Sequence, residues 1–325
     1  MANVLRKTIA RAACFLLAAL LLVGTVFMFT SCQSSNPKVT ITVSFNNRTY
    51  NLEYRLYRKF FPATVQHFIE LADAGYYNGL CFHDYDEAVG MFTGGYVYDE
   101  ASSGNTNTRG LVGREYFSWI EENDVELTQT VFAHVDDGTV PDQSTGLNTV
   151  AGEFGQNNYS IENNEKNYGA KKEGSLVMYY NGDAKEGIRN TNVTVRRNTR
   201  RAEDDATGIT GDARWYETRS YIYNSATSLF YISFESESSV SSEYCVFGEL
   251  YNDDAEETYD SLMAAIDSYI SSIDADTEDE EDPFTEEATM NIETGDWYYA
   301  DYNLRATYDV PVRPIVIEQV RVDRY

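Results

Sequence analysis

The sequence predicts a mainly β domain, a closed antiparallel barrel capped at its ends by two helices. Three observations predict it. Tyr (26) and Phe (16) are plentiful while Pro (6) is scarce, a balance that suits strands more than disordered tails. Apolar residues alternate through many short runs separated by turn residues, the mark of half-buried strands. Two longer stretches instead repeat their apolar residues at helical spacing and suit the caps. At 325 residues the chain suffices for one large domain or two small ones.

The N-terminus is an export signal. Arg6, Lys7 and Arg11 precede an apolar run from Ala12 to Phe29, which closes on Thr30, Ser31 and Cys32. That close resembles a bacterial lipobox, with Phe29 where Leu is commonest. The resemblance implies cleavage after residue 31 and acylation of Cys32, leaving residues 32–37 as a tether. The length of the run also admits an uncleaved signal anchor. Either way the positive-inside rule places residues 38–325 outside the cytoplasmic membrane.

Beyond the tether, Val39, Ile41, Val43 and Phe45 share one face, Asn46-Asn47 is a turn, and alternation resumes through Tyr57. This is a β-hairpin. Phe61-Pro62 opens the first helix, with Val65, Phe68, Ile69 and Ala72 on its stripe and Gly75 placed to stop it. His67 lies off that stripe and is read as an exposed or rim histidine. Residues 97–148 and 181–223 are polar and Gly/Asn-rich and are read as insertions. The first carries a short helix near Phe117; the second holds Arg196, Arg197, Arg200 and Arg201. Strands follow at Gly174–Tyr180, Ser228–Phe234 and Tyr244–Gly248. Asp254 is expected to cap the second helix, whose face is Tyr259, Leu262, Met263, Ile266, Ile270 and Ile273. Residues 274–300 form a third insertion, with Asp276 to Glu287 a solvated acidic loop. Val312 to Val322 is the closing strand.

The net charge of −27 speaks against nucleic acid as a partner, because phosphate binding needs clustered Lys and Arg. It equally speaks against lying flat on an anionic membrane face. Only Cys81 and Cys245 remain in the folded part, and the sequence leaves open a disulfide or two buried thiols.

The motif order is informative as a set. F-P-A-T-V-Q-H-F-I-E-L-A-D-A-G-Y-Y-N-G-L-C-F-H, M-F-T-G-G, A-G-E-F, G-S-L-V-M, S-L-F-Y-I, V-F-G-E-L and R-P-I-V-I-E-Q-V together resemble cyclophilin-type peptidyl-prolyl isomerases. The resemblance implies an eight-stranded barrel with a helix over each open end, no metal and no cofactor. Its clients would be exported or unfolded polypeptides, Pro-containing ones among them. It also implies a substrate groove at His83, Met91, Thr93, Tyr179, Leu229, Tyr231, Val240 and Tyr244.

Turning an X-Pro bond requires an apolar pocket for the ring and a donor aimed at the prolyl nitrogen as amide conjugation is lost. In the family that donor is an Arg directly after the Phe-His pair; here Asp84 stands there. A carboxylate has no proton to give near neutral pH. Gly90 stands where a pocket Phe is usual, and Thr93 and Leu229 replace two Gln residues. The expectation is an isomerase-like lipoprotein whose activity is weak or lost. The alternative is a non-catalytic peptide-binding or scaffold lipoprotein that uses the groove or its insertions.

Overall fold

A computed structural model of the chain describes residues 36–135, 139–157, 159–161, 170–179, 192–197, 211–220, 225–238, 244–274, 284–291 and 305–324. The chain runs β1 (Lys38–Phe45), β2 (Arg48–Leu56), α1 (Pro62–Asp73), β3 (Asp84–Asp86), β4 (Gly90–Thr93), β5 (Tyr96–Tyr98) and β6 (Leu111–Gly113). Helix α2 (Tyr116–Glu122) precedes β7 (Val131–Ala133), β8 (Val150–Ala151) and β9 (Leu176–Met178). Then come β10 (Asn192–Arg196), β11 (Tyr216–Ser220), β12 (Ser225–Ala226), β13 (Phe230–Ser233), β14 (Cys245–Leu250) and the long helix α3 (Asp253–Asp274). Strands β15 (Thr285–Asn291), β16 (Arg305–Pro311) and β17 (Val316–Arg324) follow.

The eight-stranded antiparallel sheet has the order β17-β1-β2-β14-β9-β13-β4-β3 and curls into a half-barrel. Its strand ladder is linear, with β17 and β3 at its ends. Three α-helices contribute to its core among the described residues, the two longer ones and the short helix expected near Phe117. Val65 and Phe68 of α1, Tyr116 and Ile120 of α2, and Leu262 and Ile266 of α3 all join the cluster formed by Ile41, Leu52, Phe230 and Phe247.

Local chemistry explains each boundary. Asn46 and Asn47 both adopt positive φ, which a two-residue hairpin turn demands. Helix α1 has Pro62 in its first turn and no side-chain cap of its own. The Glu153 carboxylate caps it from far along the chain, accepting from Thr64 N–H at 3.0 Å and Ala63 N–H at 3.2 Å. Gly75, at φ +80°, ends the helix as expected. The cap of α3 is Asn252, whose Oδ1 accepts from Ala255 N–H at 3.1 Å. Asp254 lies within the first turn instead. Strand β17 begins at Val316, and a bulge against β1 between Thr42 and Val43 lets Ile317 and Val320 both point inward despite their odd spacing.

Three further corrections arise from non-local packing. His67 is fully buried, because Tyr116 covers it; its Nε2 lies 3.0 Å from the Tyr116 hydroxyl, which donates to the Asn148 carbonyl. Residues within 97–148 and 181–223 meet as a sheet of their own, ordered β11-β10-β7. In the expected acidic loop, residues 275–283 lie outside the described ones, whereas Phe284 is fully buried and β15 pairs with β16. Among the described residues no helix is long and apolar enough to cross a membrane. The apolar run and Cys32 lie outside the described residues.

Candidate functional site

Cross-strand pairing puts Asp84, Phe92, Tyr231, Val177 and Val246 in one row, each opposite the next across β3, β4, β13, β9 and β14. Directly paired side chains project from the same face of a sheet. The row therefore faces away from the main core, to which Met91, Ile232, Leu176 and Phe247 belong. Val177, Tyr231 and Val246 form a second apolar cluster there, joined by half-buried Val89, Phe92, Tyr179 and Tyr244. Phe92 lies over Tyr231 with centroids 4.7 Å apart and meets Tyr179 edge-on at 5.3 Å.

The expected groove residues divide between two faces. Tyr179, Tyr231 and Tyr244 come together on the aromatic face. Half-buried Leu229 accepts Tyr179 N–H through its carbonyl at 3.0 Å. Met91 and Thr93 are fully buried, Met91 in the main core and Thr93 donating its hydroxyl to the Cys81 carbonyl at 2.8 Å. Phe92, between them in sequence, is the residue that faces Tyr231. Gly90 cannot be exchanged for an aromatic, since a Cβ there would lie 2.3 Å from the Ile232 carbonyl oxygen. Val240 lies outside the described residues.

At the β3 end the acids separate. Asp86 turns the chain, its Oδ1 accepting from Ala88 and Val89 N–H, and with exposed Glu87 it forms the solvated tip the sequence suggests. Asp84 is only half exposed, and the β15–β16 hairpin lies against it. Its Oδ1 accepts Asp309 N–H at 2.8 Å. Burial pushes the Asp84 carboxyl up to about 6, and the like charges of Asp309 and Asp86 reinforce the rise against the hydrogen bonds it accepts. His83 is buried between the rings of Tyr96 and Tyr308, each 4.7 Å away, and burial pulls it down to about 3. It stays neutral. Tyr308 of the hairpin is held well above the usual phenol range by burial, with Tyr96, Tyr179 and Asp84 adding to the effect.

At the β14 end sits a cation that the sequence did not flag. Lys171 is 1% exposed. Its Nζ lies 3.9 Å over the Tyr244 ring and pairs with Glu235 at 2.5 Å and Glu237 at 3.1 Å. Burial disfavours this ammonium, but Glu235, Glu237 and Tyr244 outweigh it and hold it above its ordinary range. Of the four arginines singled out, Arg196 and Arg197 lie at the end of β10, where Arg197 pairs with Glu217. Arg200 and Arg201 lie outside the described residues.

Cys81 and Cys245 are separate buried thiols, and burial pushes Cys81 up to about 12. Among the described residues, no group of three or more His, Cys, Asp or Glu is placed to hold a metal ion. A cavity of about 270 Å³ lined by Lys172, Glu173, Glu249, Tyr259 and Asp260 shares no residue with the aromatic face.

A curled antiparallel sheet whose face opposite the main core carries a second aromatic cluster, with Tyr231 buried and Phe92, Tyr179 and Tyr244 half-buried around it, defines the class of β-domain. Residues 40–268 match the sequence profile of the cyclophilin type peptidyl-prolyl cis-trans isomerase/CLD family, and the chain belongs to that family. No curated protein sequence matches it. Among solved structures it is similar to a cyclophilin type peptidyl-prolyl cis-trans isomerase of Cryptosporidium parvum, at 14% identity and a TM-score of 0.37, covering 89% of this chain and 99% of that one. The same protein crystallised in the presence of the dipeptide Ala-Pro gives 13% identity and a TM-score of 0.37 over the same shares.

Proposed function

We propose that the chain is a membrane-tethered, extracytoplasmic cyclophilin-like protein that binds Pro-containing polypeptide on the Phe92–Tyr231 platform and isomerises it weakly at neutral pH. The carrying observation is that Phe92, Tyr231, Tyr179 and Tyr244 converge on the face opposite the core. Rings on such a face offer a prolyl ring apolar contact. The weakness follows from Asp84. An ionised carboxylate at the row's end accepts hydrogen bonds and repels the electron-rich prolyl nitrogen, and loss of one transition-state donor costs about 10²–10³ in rate. In this reading Gly79–His83 is the seam that closes the half-barrel. Gly79 and Phe82 donate to the Ile317 and Ile315 carbonyls, and His83 donates to Phe92. The tether is acylated Cys32, so fatty-acid labelling should vanish in Cys32→Ala.

The alternative, a binding module without turnover, is favoured by the same Asp84. Peptide exchange spectroscopy on an Ala-Ala-Pro-Phe probe separates the two. The proposal expects binding, a small rate enhancement at catalytic protein concentration, and loss of both in Tyr231→Ala. Binding without enhancement at any pH leaves the binding module; unchanged binding in Tyr231→Ala removes the platform.

A further inference from the structure

We propose that Asp84 is itself the catalytic donor, its protonated carboxyl giving a hydrogen bond to the prolyl nitrogen of a peptide seated on Phe92 and Tyr231. The inference rests on the platform reading above. Geometry carries it first. Asp84 pairs directly with Phe92, and Phe92 with Tyr231, so the carboxyl ends the row on the platform's own face. It is a functional group of the platform, not part of the exposed tip formed by Asp86 and Glu87.

The surroundings are those of an acid, not of a charge-paired anion. From its own strand Asp84 faces Asp86; from β16 it faces Asp309 and Tyr308; from β4 its direct partner is Phe92. Among the described residues no lysine, arginine or histidine forms an ion pair with it. Burial and the two like charges favour the neutral form, so that it holds its proton up to about pH 6. A protonated carboxyl gains one O–H donor and keeps acceptor capacity, so the Asp309 N–H bond that orients it survives protonation. No covalent bond forms and the proton stays on Asp84. The donor strengthens its bond only as the amide loses conjugation, which makes the stabilisation selective for the transition state.

The test is the pH dependence of isomerisation by the full chain in detergent, read by exchange spectroscopy on the Ala-Ala-Pro-Phe peptide. With half-protonation near pH 6, the protonated fraction, and with it the rate, is about 30-fold higher at about pH 5 than at about pH 7.5. Asp84→Asn carries a permanent N–H donor of the same shape. It should give a pH-independent rate exceeding wild type at about pH 7.5. Asp84→Ala should be slow at both. A wild-type rate that is flat or falls towards acid overturns the proposal, as does an Asp84→Ala rate equal to wild type at about pH 5. Peptide shift perturbations in the same samples distinguish the failures. Binding without acid activation sinks the donor alone, whereas no binding at either pH sinks the platform with it.

Discussion

Glu153 holds a burial penalty and a capping role in one side chain. Burial raises its carboxyl to about 7, against the hydrogen bonds it accepts from Thr64, Ala63 and Tyr159. A carboxyl raised in the fold contributes stability that is full below its ordinary pKa and lost as pH rises through the folded value. The window here is from about 4.5 to about 7. Glu153→Gln keeps the shape and one acceptor and removes that slope, so between pH 4.5 and 7.5 wild type should lose roughly 3 kcal/mol more than the variant. Urea unfolding at both pH values measures it; parallel slopes in the two proteins would show that Glu153 does not titrate there. Lys171 calls for a smaller figure despite its deep burial. Glu235 and Glu237 retain 43% and 33% exposure and are partly screened by water. Lys171→Met should therefore cost about 1–2 kcal/mol in thermal unfolding, from the ion pairs and the contact with Tyr244. It should also weaken peptide binding by loosening that ring; unchanged affinity would mean that Lys171 supports the fold only.

At the scale of elements, what the sequence revealed followed local periodicity. The β1–β2 hairpin, α1, β13, β14 and α3 all carry unbroken alternation or helical spacing, and all occur where expected. Strand β4 was harder, because four residues hold too little alternation to fix a register. The family motif drew attention to Met91 and Thr93, while pairing with β13 turns Phe92 outward. Setting Gly90–Thr93 antiparallel against Phe230–Ser233, with Phe230 kept inward, would have revealed this. The β15–β16 hairpin was illegible for a different reason. Its inward residues, Ala288, Tyr308 and Val310, pack on Cys81, Tyr96 and Leu111, partners that no local pattern names. Tyr308 is the element's keystone, with its ring on His83 and its hydroxyl 3.3 Å from that of Tyr96. Tyr308→Ala should cost about 3 kcal/mol, as for other buried aromatics. By admitting water beside Asp84 it should also move that carboxyl's titration towards lower pH, because burial is the first cause of its rise. Carboxyl carbon shifts against pH report this directly, and an unmoved Asp84 midpoint would mean that the hairpin does not set its environment.

Across the whole molecule the charge has a direction to give. A net charge of −27 sets a long-range field that attracts cationic peptides before any contact forms. The platform's surroundings repeat that sign at close range, through Asp84, Glu87 and Asp309 beyond one end and Glu235 and Glu237 at the other, where Lys171 neutralises only part. Client choice should therefore divide into two separable contributions. In the proposed reading the rings would supply affinity that ignores salt, and the acids a preference that salt removes. A Lys-flanked Pro peptide should associate faster than a Glu-flanked one at about 0.05 M salt, where the Debye length is about 14 Å. The two should converge near 0.5 M, where it is about 4 Å. Tyr231→Ala should weaken both peptides by a similar factor at every salt concentration, since it removes ring contact and leaves the field intact. Stopped-flow association across that range provides the measurement. Equal rates for the two peptides at low salt would mean that the acidic surface serves solubility alone, and a Tyr231→Ala loss confined to the Lys peptide would mean that the ring acts through cation–π contact and not through the prolyl ring.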